Sequence, residues 1–169
     1  MSVFKVINDR DGNKIDTLYE KLNYVKRYDA ARCDYIYGAG VSRLNTYGEM
    51  MAVKKTYNQV EGKAYYHYVF NPECDEEISE KVLMDMGIQM ANYVERFHGY
   101  YQALMAVHFD HPEHLHMHFI VNNIDLMTGK RMNLGKKELY EIKQGISQIA
   151  KRYGVSKIRQ YEGNKNEER

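Results

Sequence analysis

Residues 102–124 read QALMAVHFDHPEHLHMHFIVNNI. Gln102 to Phe109 and Leu115 to Ile124 are apolar, β-capable stretches separated only by a short polar turn around DHPEH. So short a link joins antiparallel strands, because a parallel pair needs a long crossover. Alternate side chains of a strand share a face. His114, His116 and His118 therefore point one way, while Leu115, Met117, Phe119 and Val121 point the other. The second set is a core face. The first is a stripe of imidazoles that burial does not demand, and His108, ending the preceding strand, can come opposite it.

Around this hairpin the pattern alternates between strands and helices. Ser2 to Ile7 is β-capable and NDRDGN, residues 8–13, is a turn. Asp16 to Arg27 carries Leu18, Leu22 and Val25 at helical spacing, with Asp16 as N-cap. The stretch up to Asn45 is irregular, extended only around Tyr35 to Tyr37. Thr46 to Val60 reads as a helix, Lys63 to Phe70 as an aromatic strand, and Asp75 to His98 as the longest helix, ended by Gly99. Asp125 to Asn133 is a loop, Lys136 to Tyr153 a helix, and Val155 to Tyr161 a last edge strand. The expected fold is α+β, an antiparallel sheet of about five strands with the histidine hairpin at its centre and three or four helices packed on it. Residues 1–161 would form one domain and residues 162–169 a polar tail or truncated linker.

Composition narrows the classes. The chain has 169 residues, 44% of them apolar and 28% charged, which suits one ordinary globular domain. No apolar run approaches the roughly 20 residues of a membrane span, and the start MSVFKVINDRDG has no basic-then-apolar export pattern. Cys33 and Cys74 lie in unlike contexts and read as reduced thiols of a cytoplasmic protein. Net charge is +1, but residues 126–169 hold eleven Lys or Arg against five Asp or Glu. Such asymmetry suits a chain that presents one face to a polyanion; a solvated helix face would also produce it.

Three neutral imidazoles converging from paired strands make a divalent-metal site. The bland alternative is surface histidine on a solvated strand, which explains one histidine better than HxD followed by HxHxH. No cysteine lies nearby to close a structural zinc site. An open site leaves room for water or a phosphate oxygen, as phosphodiester chemistry requires.

The run HFDHPEHLHMHFIVNN resembles the histidine motif of the relaxase and mobilisation nuclease family, the MOB-P-like branch of the HUH single-strand DNA endonucleases. His108, Asp110, His114, His116, His118 and Asn122 match that motif, although the DHPE turn is one residue longer than the commonest form. The likeness extends from LNYV through YYHYVFNP, where Asn71 stands in place of a frequent Ser, to DLMTGKRMNLGKKELYEI and RYGVSKI. It implies that His108, His116 and His118 hold the metal and that Asp110 is a catalytic carboxylate beside it. His114 and Asn122 would form its outer shell. The cofactor would be Mn²⁺ or Mg²⁺ ahead of Zn²⁺, Co²⁺ or Ni²⁺.

The resemblance also implies transesterification. A tyrosine oxygen attacks phosphorus and stays joined to the 5′ end of a nicked strand, which preserves the bond energy for resealing. A phenol, with its ordinary pKa of about 10, needs the help of a metal that neutralises the scissile phosphate. Among 16 tyrosines the family pattern selects Tyr24, in the Leu18–Val25 segment, with Tyr19 and Tyr28 close by. A permuted HUH replication initiator or transposase would use Tyr140 or Tyr153 instead, and a binding module with the same fold would not nick at all. Lys130, Arg131, Lys136 and Lys137 are candidate phosphate contacts. Tyr35, Tyr37, Tyr65 and Tyr66 are candidate base-stacking residues, although at least one of Tyr65 and Tyr66 should be core. The implied partners are single-stranded DNA at a transfer origin, accessory DNA-binding proteins and a secretion coupling protein. The implied setting is the cytoplasm of a prokaryote carrying a mobile element.

Overall fold

A computed structural model describes residues 2–73 and 78–155. Its element order is β1 (Val3–Ile7), α1 (Ile15–Val25), β2 (Ala31–Ala39), α2 (Thr46–Thr56), β3 (Tyr65–Asn71), α3 (Glu80–Glu95), β4 (Ala103–His108), β5 (His116–Asn122) and α4 (Lys136–Arg152). The five strands form one antiparallel sheet in the order β1-β3-β5-β4-β2. The histidine hairpin therefore supplies the central strand and one neighbour, as its apolar run requires.

Strand parity divides the molecule into three layers. Met117, Phe119 and Val121 of β5, Met105 and Val107 of β4, and Tyr68 and Phe70 of β3 face α3 and α4 in one core. Leu104, Ala106, Ile120 and Tyr65 face α1 and α2 in the other, against Leu18, Leu22, Val25 and Met50. Helices thus cover both sides of the sheet. The histidine stripe lies on the α1/α2 side, because His118 stands opposite Ala106 and His116 opposite His108.

Several boundaries differ from the sequence reading, for local reasons. Asp16 lies in the first turn of α1 and Lys14 takes the cap position, so Asp16 favours the helix dipole without capping it. The long strand β2 replaces the irregular stretch expected before Asn45, with a register shift between Ala31 and Ile36. As an edge strand with one partner it tolerates Asp34, and Gly38 is needed because a Cβ there would strike the Val41 carbonyl. Helix α2 stops at Thr56, ahead of Asn58 at φ 53°. Helix α3 starts after Ser79, whose hydroxyl accepts from the Val82 amide, and ends before His98 at φ 58°. The expected start at Asp75, most of the Val155–Tyr161 strand, and the tail lie outside the described residues. No described helix is long and apolar enough to cross a membrane.

Candidate active site

His108, His116 and His118 each offer a ring nitrogen within 4.8 Å of the others. Their ring centroids are 4.2 Å (His108–His118), 5.1 Å (His108–His116) and 5.0 Å (His116–His118) apart. Hydrogen bonds on the outer nitrogens select the inner ones. His108 Nε2 lies 2.8 Å from the Val25 carbonyl and must donate to it, which leaves Nδ1 with its lone pair. His116 Nδ1 lies 3.1 Å from the His114 carbonyl, which leaves Nε2. His118 Nδ1 meets His67 Nε2 at 2.7 Å, which leaves Nε2 again. Among the described residues four buried side-chain polar atoms have no hydrogen-bond partner, His67 Nδ1, Tyr68 Oη, His108 Nδ1 and His118 Nε2, and the last two belong to the triad. Such orphans are rare in folded proteins; two on rings 4.2 Å apart suit a shared cation.

Burial disfavours the charged form of the His108, His118 and His67 rings. It pushes His118 down to about 2, reinforced by the neighbouring His108 and His67 rings. His67 falls to about 4, chiefly through burial and then through Lys21. His108 is lowered by burial, against the Val25 carbonyl bond that favours its protonated form.

Helix α1 brings Tyr24 to this cluster. Leu18, Leu22 and Val25 are buried in the sheet-facing core, so Tyr24 lies on the helix flank, 48% exposed. Its ring centroid is 6.3 Å from that of His108 and 6.2 Å from that of His118. The Arg27 guanidinium lies 4.2 Å over the Tyr24 ring, and Arg27 Nη2 donates to Asp110 Oδ2 at 2.8 Å. Burial alone would raise the Asp110 carboxyl, but His108 and Arg27 outweigh it and hold the carboxyl below its ordinary value. Tyr19 packs edge-on against Tyr47, and Tyr28 is 96% exposed. Tyr140 and Tyr153 belong to α4 and its C-cap, on the sheet face opposite the histidines.

Other expected site residues lie elsewhere. The His114 side chain is exposed, and it is the residue's carbonyl that touches the triad. Asn122 is four residues beyond His118, about 13 Å along the strand; its side chain bonds Lys54, Gln102 and the Met50 carbonyl. The loop carrying Lys130 and Arg131 lies at the end of β5 away from the triad, where Arg131 pairs with Ile124, and Lys136 and Lys137 open α4. Arg131 spends its guanidinium on Gln59 and on the Lys63 and Glu61 carbonyls, while Lys130, Lys136 and Lys137 are exposed. Tyr65 and Tyr66 are both buried. Tyr35 and Tyr37 pack partly against the α3 side, their hydroxyls on Glu80 and Asn92. Sequence reasoning missed His67 and Arg27. His67 shares strand parity with Tyr65 and Val69, but only the β3–β5 register brings it to His118.

Comparison with known proteins bears on the family and the fold. Residues 8–155 match the family model described as relaxase, MobA/VirD2-like, nuclease domain. Two Staphylococcus aureus proteins, each called Protein rlx, are similar. One is 29% identical over 105 residues, 62% of this chain and 30% of the relative. The other is 28% identical over 80 residues, 47% of this chain and 24% of the relative. The chain thus matches less than a third of the length of either. A solved structure, described as "Molecular Basis of Vancomycin Resistance Transfer in Staphylococcus aureus", has the same fold. Its TM-score is 0.60 at 10% identity, over 94% of this chain and 96% of that one.

Proposed function

We propose a reaction that takes the family as its premise: the chain belongs to the MobA/VirD2-like relaxase nuclease domains, and Tyr24 is the nucleophile with which it nicks single-stranded DNA. The observation that carries this reading is the position of the Tyr24 ring, about equally near two members of an inward-facing histidine triad.

In the proposed step the Tyr24 phenolic oxygen forms a bond to phosphorus and its proton passes to solvent, which reaches the half-exposed ring. The bond from phosphorus to the preceding nucleotide's 3′ oxygen breaks, and that oxygen takes up a proton. One product is a free 3′ hydroxyl; the other is DNA joined through its 5′ phosphate to Tyr24. The step is reversible, which allows the strand to be resealed after transfer. His108 Nδ1, His116 Nε2 and His118 Nε2 would hold a divalent ion, Mn²⁺ or Mg²⁺ in the cell. That ion would neutralise the scissile phosphate. The setting would be conjugative transfer or plasmid mobilisation in a prokaryotic cytoplasm, with accessory DNA-binding proteins and a coupling protein as partners.

The test uses single-stranded oligonucleotides tiled across the transfer origin, with Mn²⁺ or Mg²⁺ and denaturing detection of a protein–DNA adduct. Wild type should form the adduct and Tyr24→Phe should not. An adduct that persists in Tyr24→Phe and vanishes in Tyr140→Phe would reverse the assignment. Binding with no adduct in wild type would make this domain a DNA-binding module.

A further inference from the structure

The geometry points to Arg27 as the residue that positions the Tyr24 ring for attack, with Asp110 holding Arg27 in place; this rests on the reading of Tyr24 as the nucleophile. Helix α1 ends at Val25, so Arg27 lies in the turn just beyond it. Its guanidinium lies over the Tyr24 ring at 4.2 Å. Its Nη1 donates to the Tyr24 carbonyl at 2.9 Å, its Nη2 to Asp110 at 2.8 Å, and its Nε lies 3.4 Å from Asp29. One side chain therefore touches the ring of the nucleophile, its backbone, and the turn of the histidine hairpin two residues after His108.

This contact set differs from that of a phosphate clamp. Three of the fork's nitrogens already face protein acceptors, and the flat face is given to an aromatic ring. A planar cation suits that double use, whereas an ammonium supplies charge without a plane or a fork. Both Arg27 and Asp110 side chains are 25% exposed, and such ion pairs add little stability. What this one fixes is alignment. The Val25 carbonyl on His108 joins the helix backbone to the triad, and the Arg27–Asp110 pair joins the reactive side chain to the same hairpin. Asp110 is engaged in that pair, so its part in the reaction is exerted through Arg27 rather than as a base.

The test measures single-turnover adduct formation at saturating oligonucleotide, with oligonucleotide and Mn²⁺ affinities measured separately. Arg27→Gln should slow the step on the order of 10²-fold, the scale for a misplaced reacting group, with both affinities and the melting temperature unchanged. Arg27→Lys should recover little of the rate. Asp110→Asn should fall part of the way, and the double variant should be no slower than Arg27→Gln alone. Full activity in Arg27→Lys, or losses that multiply in the double variant, would overturn the assignment. Tyr24→Phe is measured alongside. If it still forms the adduct, the nucleophile reading fails; if it is inactive while Arg27→Gln runs at the wild-type rate, only the role of Arg27 fails.

Discussion

His67 Nε2 lies 2.7 Å from His118 Nδ1, across the pairing of β3 with β5. For His118 to present its Nε2 lone pair to a cation, its Nδ1 must carry the proton and donate it to His67. His67 then acts as the acceptor that fixes the tautomer and orientation of His118. Removing such a partner commonly weakens metal binding about 10- to 100-fold. His67→Phe should show that loss in a Mn²⁺ titration, and His67→Gln, whose amide oxygen still accepts, should lose less. Wild-type affinity in His67→Phe would mean that the contact is packing alone.

Metal binding should also appear as stability. A ligand at one hundred times its Kd stabilises the folded state by about 2.7 kcal/mol, so wild type should melt higher in Mn²⁺ than in chelator. His116→Ala and His118→Ala should lose that shift and lose nicking with it. Nicking that survives either substitution would remove that residue from the ligand set.

How much of this was legible depended on range. Parity along β5 is local, so His116, His118 and their apolar reverse face could be read directly, whereas His114, counted into the same stripe, lies before the strand with its side chain exposed. The short turn fixed the partner of β5, which put His108 opposite His116. His67 could not be found this way, because it needs the register of a strand some fifty residues earlier. The resemblance put Asn122 in the outer shell, and Asn122 does share the strand face of His118, yet a shared face does not imply a shared site. Residues four apart on a strand are too far separated for that. Strand β2 was understated because Asp34 and Gly38 read as turn residues, while an edge strand with a single neighbour accepts both.

Acid should destabilise the metal-free protein through its buried imidazoles. His67 is held down to about 4 and His118 to about 2, both mainly by burial, while an unfolded chain has histidines near 6.5. Between those values the unfolded chain binds protons that the folded one excludes, so stability falls as pH drops below about 6.5. The decline from His67 ends near pH 4 and that from His118 continues lower. Urea midpoints in chelator should therefore fall between pH 7 and pH 5, and less steeply in His67→Phe. Equal slopes in the two proteins would show that His67 is not excluded from protonation.

Asn122 should prove to be a residue of the fold. Lys54 is fully buried, and its Nζ donates to the Ala64 carbonyl at 2.6 Å, Asn122 Oδ1 at 2.7 Å and Asn123 Oδ1 at 2.8 Å. Three acceptors match the three N–H groups of an ammonium, and they oppose the burial that pulls Lys54 down to about 7. Asn122 returns its own amide hydrogens to Gln102 Oε1 and the Met50 carbonyl, so it links β5 to α2 and to the approach to β4. Asn122→Ala strips an acceptor from a buried cation, a loss of roughly 3 kcal/mol. Its melting temperature should fall while its Mn²⁺ affinity, measured well below that temperature, stays at the wild-type value. Weaker metal binding in a protein that melts normally would return Asn122 to the triad's outer shell.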